Sequence, residues 1–344
     1  MEVSSHRRIL AFSLFTLIIF LIQPNILYSN ELKQFDIMKF GFDNEKKLLA
    51  FSKKIDEYCR DKKFFQNLKK HKSYPKLGST SDWLKFCEEK KNNKVDMLRF
   101  IKDNLNLISN DYKKSILTGY YSPEIKISRT KNRRFRYPIL KKSDALLVER
   151  KKIIETFKPE DVLFWTDDKI ELFFLQIQGS GVGVLENNKK VKLNYGGNNG
   201  FEYTSIGKLL IKNQFIRKNN VSAQSIKNWL EQNLNLVNEI FNKNKRYIFF
   251  KVGEFDYKMP KGASGHFLEP KTSIAIDKNI YPYGIPFILL TDKKDYVSLV
   301  VSDDTGSAIK GANRADLFLG YGSKAGLEAG KLKENLKLIV LIPK

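Results

Sequence analysis

The sequence predicts a mainly β protein with a helical N-terminal region, because its pattern changes near residue 117. Before that point, apolar residues recur every three or four positions over residues 44–65 and 81–105, as in amphipathic helices. After it, short β-prone runs alternate with Gly, Pro and Asn, which is typical of closely connected strands. The dense turns of the last hundred residues favour a small β-barrel.

Local spacing predicts the individual elements. A break at residues 73–78 separates the first two helical regions, and Ser81 followed by Asp82 is a typical helix start. Another helix is predicted over residues 222–241, which have one apolar face. The predicted strands are 120–121, 124–127, 173–178 (with one polar face), 182–185, 191–195, 247–252, 273–276, 287–290, 299–302 and 338–342.

The order of these elements indicates a middle β segment inserted between a helical N-terminal part and a β C-terminal part, which together form the other domain. A chain of 344 residues is long enough for two domains. We place residues 30–122 and 246–344 in one domain and residues 123–245 in the insertion, after an N-terminal segment of residues 1–29.

The composition is that of a folded protein, but it does not identify the kind of molecule that the protein binds. The chain is 42% hydrophobic, and 61 Lys and Arg against 38 Asp and Glu give a formal net charge of +23. Such a charge favours acidic partners in general. No zinc-finger or RNA-binding signature accompanies it, so nucleic acid is not expected. Either the excess consists of lysines dispersed over the surface, or the charge serves an anionic envelope polymer or membrane surface.

The N-terminus predicts export. His6, Arg7 and Arg8 precede an uncharged, largely apolar run at residues 9–22, as in a secretory signal. Cleavage near Ser29 and an uncleaved inner-membrane attachment through residues 9–22 both remain open. No Cys follows the apolar run, so lipoprotein processing is not expected there. We expect a periplasmic protein.

The two cysteines, Cys59 and Cys87, both lie in predicted helices. In an oxidising compartment they can form a disulfide that joins the two helices. Two buried free thiols are the alternative.

Missing motifs exclude several chemistries. After the signal only His71 and His266 remain, without a His-Glu-x-x-His or Cys-x-x-Cys motif, so neither a metal site nor a Ser-His-Asp triad is expected. No nucleotide-binding glycine loop precedes a helix, and no cofactor is expected. The glycines of residues 178–183 are interpreted as a tight turn that lets backbone approach a ligand.

The densest polar cluster lies near the C-terminus. An apolar strand runs directly into Asp303, Asp304 and a Gly-rich stretch, and Arg314 and Asp316 follow. Upstream, Asp277 ends another predicted strand. These residues either cap turns or line a cleft.

Two chemistries suit such carboxylates. Residues 304–306, Asp-Thr-Gly, match the short signature of aspartic proteases, but one copy requires a homodimer to supply the second Asp. In glycan cleavage, by contrast, a protonated carboxyl donates to the glycosidic oxygen.

Five motifs follow one another along the chain, at residues 117–123, 176–181, 195–207, 277–286 and 304–316. Together, and in this order, they resemble the membrane-bound lytic murein transglycosylase A family. The resemblance runs from about residue 115 to the C-terminus.

The resemblance implies a double-psi β-barrel domain, built from both ends of the chain, and an inserted second β-barrel domain that forms the other wall of a glycan groove. The family's three aspartates fall on Asp277, Asp304 and Asp316. Its single catalytic acid/base falls on Asp316, and the division of labour between Asp316 and Asp304 stays open.

The implied reaction cleaves the β-1,4 bond between N-acetylmuramic acid and N-acetylglucosamine. The 6-hydroxyl of the muramic acid attacks its own anomeric carbon and leaves a 1,6-anhydromuramic end, an intramolecular step favoured by proximity. One carboxyl suffices, because no water needs to be activated.

The resemblance also supplies candidate glycan contacts. They are Thr118, Gly119, Tyr120, Tyr121, Gln178, Gly179, Ser180, Asp277 and Lys310. Barrel packing is the alternative for the tyrosines, and an ion pair with Asp304 is the alternative for Lys310.

The expected partner is peptidoglycan, and we expect a monomer. A non-catalytic peptidoglycan-binding envelope protein is the alternative function, and a dimeric aspartic protease is a more distant one.

Overall fold

The computed structural model describes residues 37, 42, 44–92, 96–109, 116–256, 258–293 and 296–344. In this part the chain forms two β-sheets with helices packed around them. The predicted signal of residues 1–29, with its cleavage point near Ser29 and the apolar run of residues 9–22, lies outside the described residues.

Ten α-helices occur in the described part, four of them before the first strand. They are α1 Glu45–Arg60, α2 Lys62–Lys70, α3 Thr80–Asn92, α4 Met97–Asn104, α5 Arg150–Thr156, α6 Lys169–Gln178, α7 Ile206–Lys212, α8 Ala223–Gln232, α9 Val237–Lys243 and α10 Gly322–Lys331.

Fourteen strands are present in the same residues. They are β1 Leu105–Ser109, β2 Ile116–Ser122, β3 Glu124–Ser128, β4 Tyr137–Leu140, β5 Val162–Thr166, β6 Gly181–Leu185, β7 Lys190–Asn198, β8 Ile248–Glu254, β9 Ser273–Ile276, β10 Pro286–Thr291, β11 Ser298–Thr305, β12 Arg314–Tyr321, β13 Lys333–Glu334 and β14 Leu336–Pro343.

The strands divide into a sheet from both ends of the chain and a sheet from its middle. The first has eight strands in the order β1-β14-β10-β11-β9-β12-β2-β13, and the second has six in the order β4-β5-β3-β6-β7-β8. Because β8 pairs with β7, the second sheet extends to Glu254, beyond the expected boundary at residue 245. No ladder among the described residues joins β1 to β13, so a closed barrel is not seen. The fold is mixed α and β, not mainly β.

The expected strand at residues 173–178 is wrong, since these residues belong to helix α6. Asp168 caps this helix by accepting hydrogen bonds from the backbone of Ile170 and Glu171, and Gly179 ends it with a φ of 83°. Most of the helix is buried on all sides. Its apolar residues therefore do not form the single stripe by which a surface helix is recognised.

The helix predicted over residues 222–241 is two helices, α8 and α9. Asn233 ends α8 outside helical geometry, with a ψ of 50°. Its side chain donates a 2.7 Å hydrogen bond to the carbonyl of Trp229, which satisfies one of the carbonyls left over at the helix end.

The predicted helical character of residues 44–65 and 81–105 is confirmed. Helices α1 and α3 pack onto the core of the first sheet through Phe51, Ile55 and Trp83. A disulfide joins Cys59 of α1 to Cys87 of α3, with 5.3 Å between the Cα atoms, which decides between the two alternatives for these thiols. No helix among the described residues is long and apolar enough to cross a membrane.

Removing this disulfide with Cys59→Ser and Cys87→Ser should lower the free energy of unfolding by about 3 kcal/mol, because a cross-link restricts the unfolded chain. The cysteines are 28 residues apart in sequence. Guanidinium unfolding with and without reductant measures the effect. Reductant should destabilise the parent chain and leave the double variant unchanged; equal effects on both would contradict the prediction.

Candidate active site

Three neighbouring strands of the first sheet place two carboxylates in one row. Asp304 of β11 lies opposite Ala275 of β9, and Ala275 also lies opposite Asp316 of β12. Opposed residues of neighbouring strands share one face of a sheet. With strands about 4.8 Å apart, the Cα atoms of the two Asp residues lie roughly 10 Å apart, separated by the small side chain of Ala275.

This row depends on a β-bulge in β11. Ser302 pairs with Ile274, but Asp304 pairs with the next residue, Ala275, so Asp303 is the extra residue. A bulge re-aims the side chains around it. Asp303 is fully buried in the interior, whereas Asp304 is half-buried in the row.

Both carboxylate oxygens of Asp304 accept hydrogen bonds. Oδ1 accepts from the backbone N–H groups of Ala263 and Thr305, each at 2.9 Å, and Oδ2 accepts from the Tyr120 hydroxyl at 3.0 Å. Burial nevertheless raises the pKa of Asp304 to about 6, against the effect of these donors. Asp304 is therefore held firmly in place and has a raised pKa.

Asp316 has a different environment. The Thr118 hydroxyl donates to its Oδ1 at 2.5 Å, and Nη2 of Arg314 donates to the Thr118 oxygen at 2.7 Å. Burial raises the pKa of Asp316, and the Arg314 charge and the Thr118 hydrogen bond oppose this rise. Among the described residues nothing donates to Oδ2 of Asp316, so this oxygen is available to a ligand.

Three side chains contact the carboxylate of Asp303, which is buried beneath the row. The Tyr58 hydroxyl donates to its Oδ1 at 2.5 Å, Nζ of Lys54 lies 3.3 Å from the same oxygen, and the Ser273 hydroxyl donates to Oδ2. Burial raises the pKa of Asp303, whereas Lys54, Ser273 and Tyr58 act to lower it. Lys54 is itself buried, so the two form an ion pair shielded from water.

The loop of residues 261–268 joins this network to Asp304. Besides the Ala263 contact, Ser264 donates its N–H to the Asp303 carbonyl at 3.0 Å, and Lys54 donates to the Phe267 carbonyl at 2.9 Å. His266 lies 3.0 Å from Asp61, and its hydrogen bond with Glu57 is the largest cause of its raised pKa. Helix α1 thus fixes the loop that donates to Asp304.

No group of three or more His, Cys, Asp or Glu side chains in the described part of the chain is arranged to hold a metal ion.

Two family models match the chain. The one described as the MltA specific insert domain matches residues 146–251, and the one described as the 3D domain matches residues 272–342. The first covers most of the second sheet and the other contains all three aspartates of the resemblance.

A curated relative extends the match over most of the chain. The membrane-bound lytic murein transglycosylase A homolog of Buchnera aphidicola subsp. Schizaphis graminum is 32% identical over an alignment of 329 residues, gaps included, that covers 88% of this chain and 87% of that protein. The chain belongs to the membrane-bound lytic murein transglycosylase A family. The family's Escherichia coli K12 protein is 31% identical over 227 residues, 62% of this chain and 61% of that protein.

Solved structures of the family have the same fold. The crystal structure of E. coli MltA with bound chitohexaose has a TM-score of 0.69 and 25% identity, over 86% of this chain and 89% of that chain. The membrane-bound lytic murein transglycosylase from Agrobacterium tumefaciens has a TM-score of 0.71 and 23% identity, over 81% of this chain and 91% of that chain.

The motif of residues 117–123 occupies strand β2, whose residues divide between its two faces. Thr118 and Tyr120 contact the two carboxylates of the row. Gly119 faces the other way, where an added Cβ would meet Leu319 and the backbone of α10. Tyr121 packs against Gly326 of α10, so its ring has a packing role.

The motif of residues 176–181 contacts the first sheet through the side chain of Gln178. Oε1 of Gln178 accepts a 3.1 Å hydrogen bond from the backbone N–H of Tyr121. Gly179 and Ser180 form the turn between α6 and β6, and both are half-buried. Gln178 thus links the end of helix α6 to strand β2 of the first sheet.

Asp277 and Lys310 lie beyond the row. Asp277 is buried and accepts hydrogen bonds from the backbone N–H groups of Asn279 and Gly311, each at 3.0 Å. It therefore fixes the turn after β9 and the Gly-rich stretch before β12. Lys310 is exposed and makes no ion pair with Asp304 in the described part of the chain, so that alternative is not observed.

Sequence reasoning missed several residues of the site. It assigned no role to Lys54 or Tyr58, although a lysine on the apolar face of α1 is a signal, because buried lysines usually have a partner. Arg314 was noted in the polar cluster without a function. Ala263 acts through its backbone and leaves no trace in the sequence.

Lys54→Met should lower the free energy of unfolding by about 3–5 kcal/mol, because it leaves the Asp303 carboxylate buried without its cation. The exposed pair of Lys245 and Glu149 gives a matched control. Lys245→Met should cost less than about 1 kcal/mol. Denaturant unfolding measures both, and adding Asp303→Asn to Lys54→Met should restore part of the loss. Equal costs for the two lysine variants would mean that Asp303 carries no charge.

Proposed function

We propose that the chain is a peptidoglycan lytic transglycosylase in which Asp316 is the single acid/base. The observation that carries this proposal is the difference between the two carboxylates. Burial raises the pKa of both, but Asp316 has one oxygen that accepts no hydrogen bond from the described residues, whereas both oxygens of Asp304 accept hydrogen bonds from the protein. The names of its relatives support the reaction class.

Asp316 first acts as the acid. Its protonated carboxyl donates to the glycosidic oxygen of the leaving N-acetylglucosamine as the bond to N-acetylmuramic acid breaks. The raised pKa keeps a fraction of Asp316 protonated at a pH where an exposed Asp is ionised. Once it has given up the proton, the Thr118 hydroxyl and the nearby Arg314 stabilise the carboxylate.

Asp316 then acts as the base. It accepts the proton of the muramic acid 6-hydroxyl as that oxygen bonds to the anomeric carbon, which forms the 1,6-anhydro ring and restores the protonated enzyme. No water is consumed. A hydrolase of the usual kind needs a second carboxylate to activate water or to attack. Asp304, with both oxygens bound, is poorly placed for that role.

Asp304 contributes electrostatically in this proposal. As a carboxylate in the same row, it stabilises the positive charge that develops on the sugar as the glycosidic bond breaks. Its hydrogen bonds hold it in place before the reaction, so little reorganisation is needed.

The glycan lies in a groove between the two domains, with the first sheet as a double-psi β-barrel and the inserted domain as the second wall. The E. coli structure with bound chitohexaose supports binding of a glycan by this fold. Thr118 and Tyr120 are the contacts next to the carboxylates, and Gln178 to Ser180 lie where the second wall begins.

We place the protein in the periplasm as a monomer, exported by residues 1–29. The disulfide between Cys59 and Cys87 supports an oxidising compartment, and the relatives named as membrane-bound support an envelope location.

Asp316→Asn should lower the cleavage of purified sacculi by roughly a thousandfold, because the variant cannot donate the proton. Thermal unfolding should show a folded protein. The parent chain should release muropeptides that are one water lighter at the muramic end, as measured by mass spectrometry. Ordinary reducing ends would indicate a hydrolase, whereas binding of sacculi without cleavage would favour the non-catalytic alternative.

Asp304→Asn is the companion variant for this assignment. It keeps the size of the side chain, removes its charge and replaces one acceptor oxygen by an NH2 donor. Because Asp304 does not transfer the proton in this proposal, cleavage should fall less than in Asp316→Asn. The reverse order of the two losses would assign the acid to Asp304.

Arg314→Gln should move the alkaline limb of the pH profile of kcat/KM to higher pH. The Arg314 cation lowers the pKa of Asp316, so its removal raises that pKa, and the protonated acid persists to higher pH. Arg314→Lys retains the charge and should keep the limb near its original position. A downward shift in Arg314→Gln would contradict Asp316 as the titrating acid.

A further inference from the structure

A pocket lies at the junction of the two sheets, beyond the row of carboxylates. It is lined by Ser122 and Tyr321 from the first sheet, Lys192 from the second, and Phe255 and Lys258 from the segment that follows β8. None of these residues takes part in the proton transfers proposed above.

Strand β2 leads from the carboxylates to this pocket. Alternate residues of a strand share a face, so Thr118, Tyr120 and Ser122 point to the same side. Thr118 contacts Asp316, Tyr120 contacts Asp304, and Ser122 lines the pocket. At about 3.3 Å per residue, Ser122 lies roughly 13 Å along the strand from Thr118.

Three lysines lie around one aromatic ring, and two of them, Lys192 and Lys258, also line the pocket. Nζ of Lys192, Lys258 and Lys261 lie 5.7, 5.4 and 5.2 Å from the centroid of the Phe267 ring. Lys192 forms an ion pair with Asp256. Lys258 and Lys261 are exposed, and neither has a carboxylate partner among the described residues.

Two uncompensated cations held near the face of an aromatic ring are suited to bind an anion. Each lysine carries three donors for carboxylate oxygens, and stacking on the ring limits the positions that its ammonium group adopts. The same segment continues into the loop whose Ala263 donates to Asp304. A ligand bound at these lysines therefore lies beside the glycan groove.

We infer that Lys258 and Lys261 form a subsite for the carboxylates of the stem peptide, so that the enzyme favours peptide-bearing glycan strands over denuded ones. This inference rests on the proposed function. On a denuded strand the free lactyl carboxylate is joined to the sugar by a short ether link, so with that sugar at Asp316 the link is too short to reach these lysines. A stem peptide extends away from the ring and can span the distance along β2.

The test compares the full chain with two double variants. Lys258→Gln with Lys261→Gln removes the subsite. Lys208→Gln with Lys212→Gln removes two exposed lysines of helix α7, so both variants lose the same net charge. For each protein, kcat/KM is measured on strands with stem peptides and on strands from which an amidase has removed them.

We expect the parent chain and the α7 variant to favour peptide-bearing strands by roughly tenfold, which corresponds to one charge-assisted contact. In the Lys258 and Lys261 variant the ratio should fall to about one. An unchanged ratio in that variant, an equal fall in the α7 variant, or no preference in the parent chain would each overturn the inference.

A binding measurement separates this inference from the proposed function. Calorimetry with peptide-bearing and denuded fragments should show the same preference in the parent chain and its loss in the Lys258 and Lys261 variant. If the parent chain cleaves neither kind of strand, the proposed function fails, and calorimetry alone decides for or against the subsite.

Discussion

The buried carboxylate of Asp303 is the constraint on which the rest of the site depends. A charge without access to water must be neutralised and hydrogen-bonded by its neighbours. Lys54 and Tyr58 of α1 and Ser273 of β9 supply these partners. Because Tyr58 and Asp303 are 245 residues apart in sequence, this one group fixes the N-terminal helices against the C-terminal strands.

The bulge at Asp303 decides which of two adjacent carboxylates enters the row. In a regular ladder the residue after Ser302 would pair with Ala275, and Asp303 would then lie in line with Asp316. The extra residue moves Asp304 into that position and leaves Asp303 to the interior. Two chemically identical neighbours thereby acquire different roles, one structural and the other in the candidate site, from a one-residue shift in register.

Elements whose pattern lies within their own residues could be predicted from the sequence. The apolar runs directly before Asp277 and before Asp303 and Asp304 have clear strand patterns, and motif resemblance identified the family. Strand β12, which carries Asp316, was not predicted as a strand, because most of it is buried and its apolar run lacks alternation. Helix α6 was mistaken for a strand because its apolar residues surround the whole helix.

The contacts that complete the site come from residues distant in sequence. The backbone N–H of Ala263 donates to Asp304 from a loop that is held by two further contacts, from Lys54 to the Phe267 carbonyl and from Ser264 to the Asp303 carbonyl. No residue type is required at a backbone donor, so no sequence pattern marks it. The packing of α1 on β11 determines these positions, and these two elements lie near opposite ends of the chain.

The chain crosses between the two sheets twice, and both crossings lie beside the candidate site. The first is the step from Ser122 to Glu124, directly after Tyr120. The second is the segment from β8 to β9, which contains Lys258, Lys261 and Ala263. These connections include Ala263, which contacts Asp304, and Ser122, Phe255 and Lys258, which line the adjacent pocket. The same short segments of chain therefore join the two sheets and contact the candidate site.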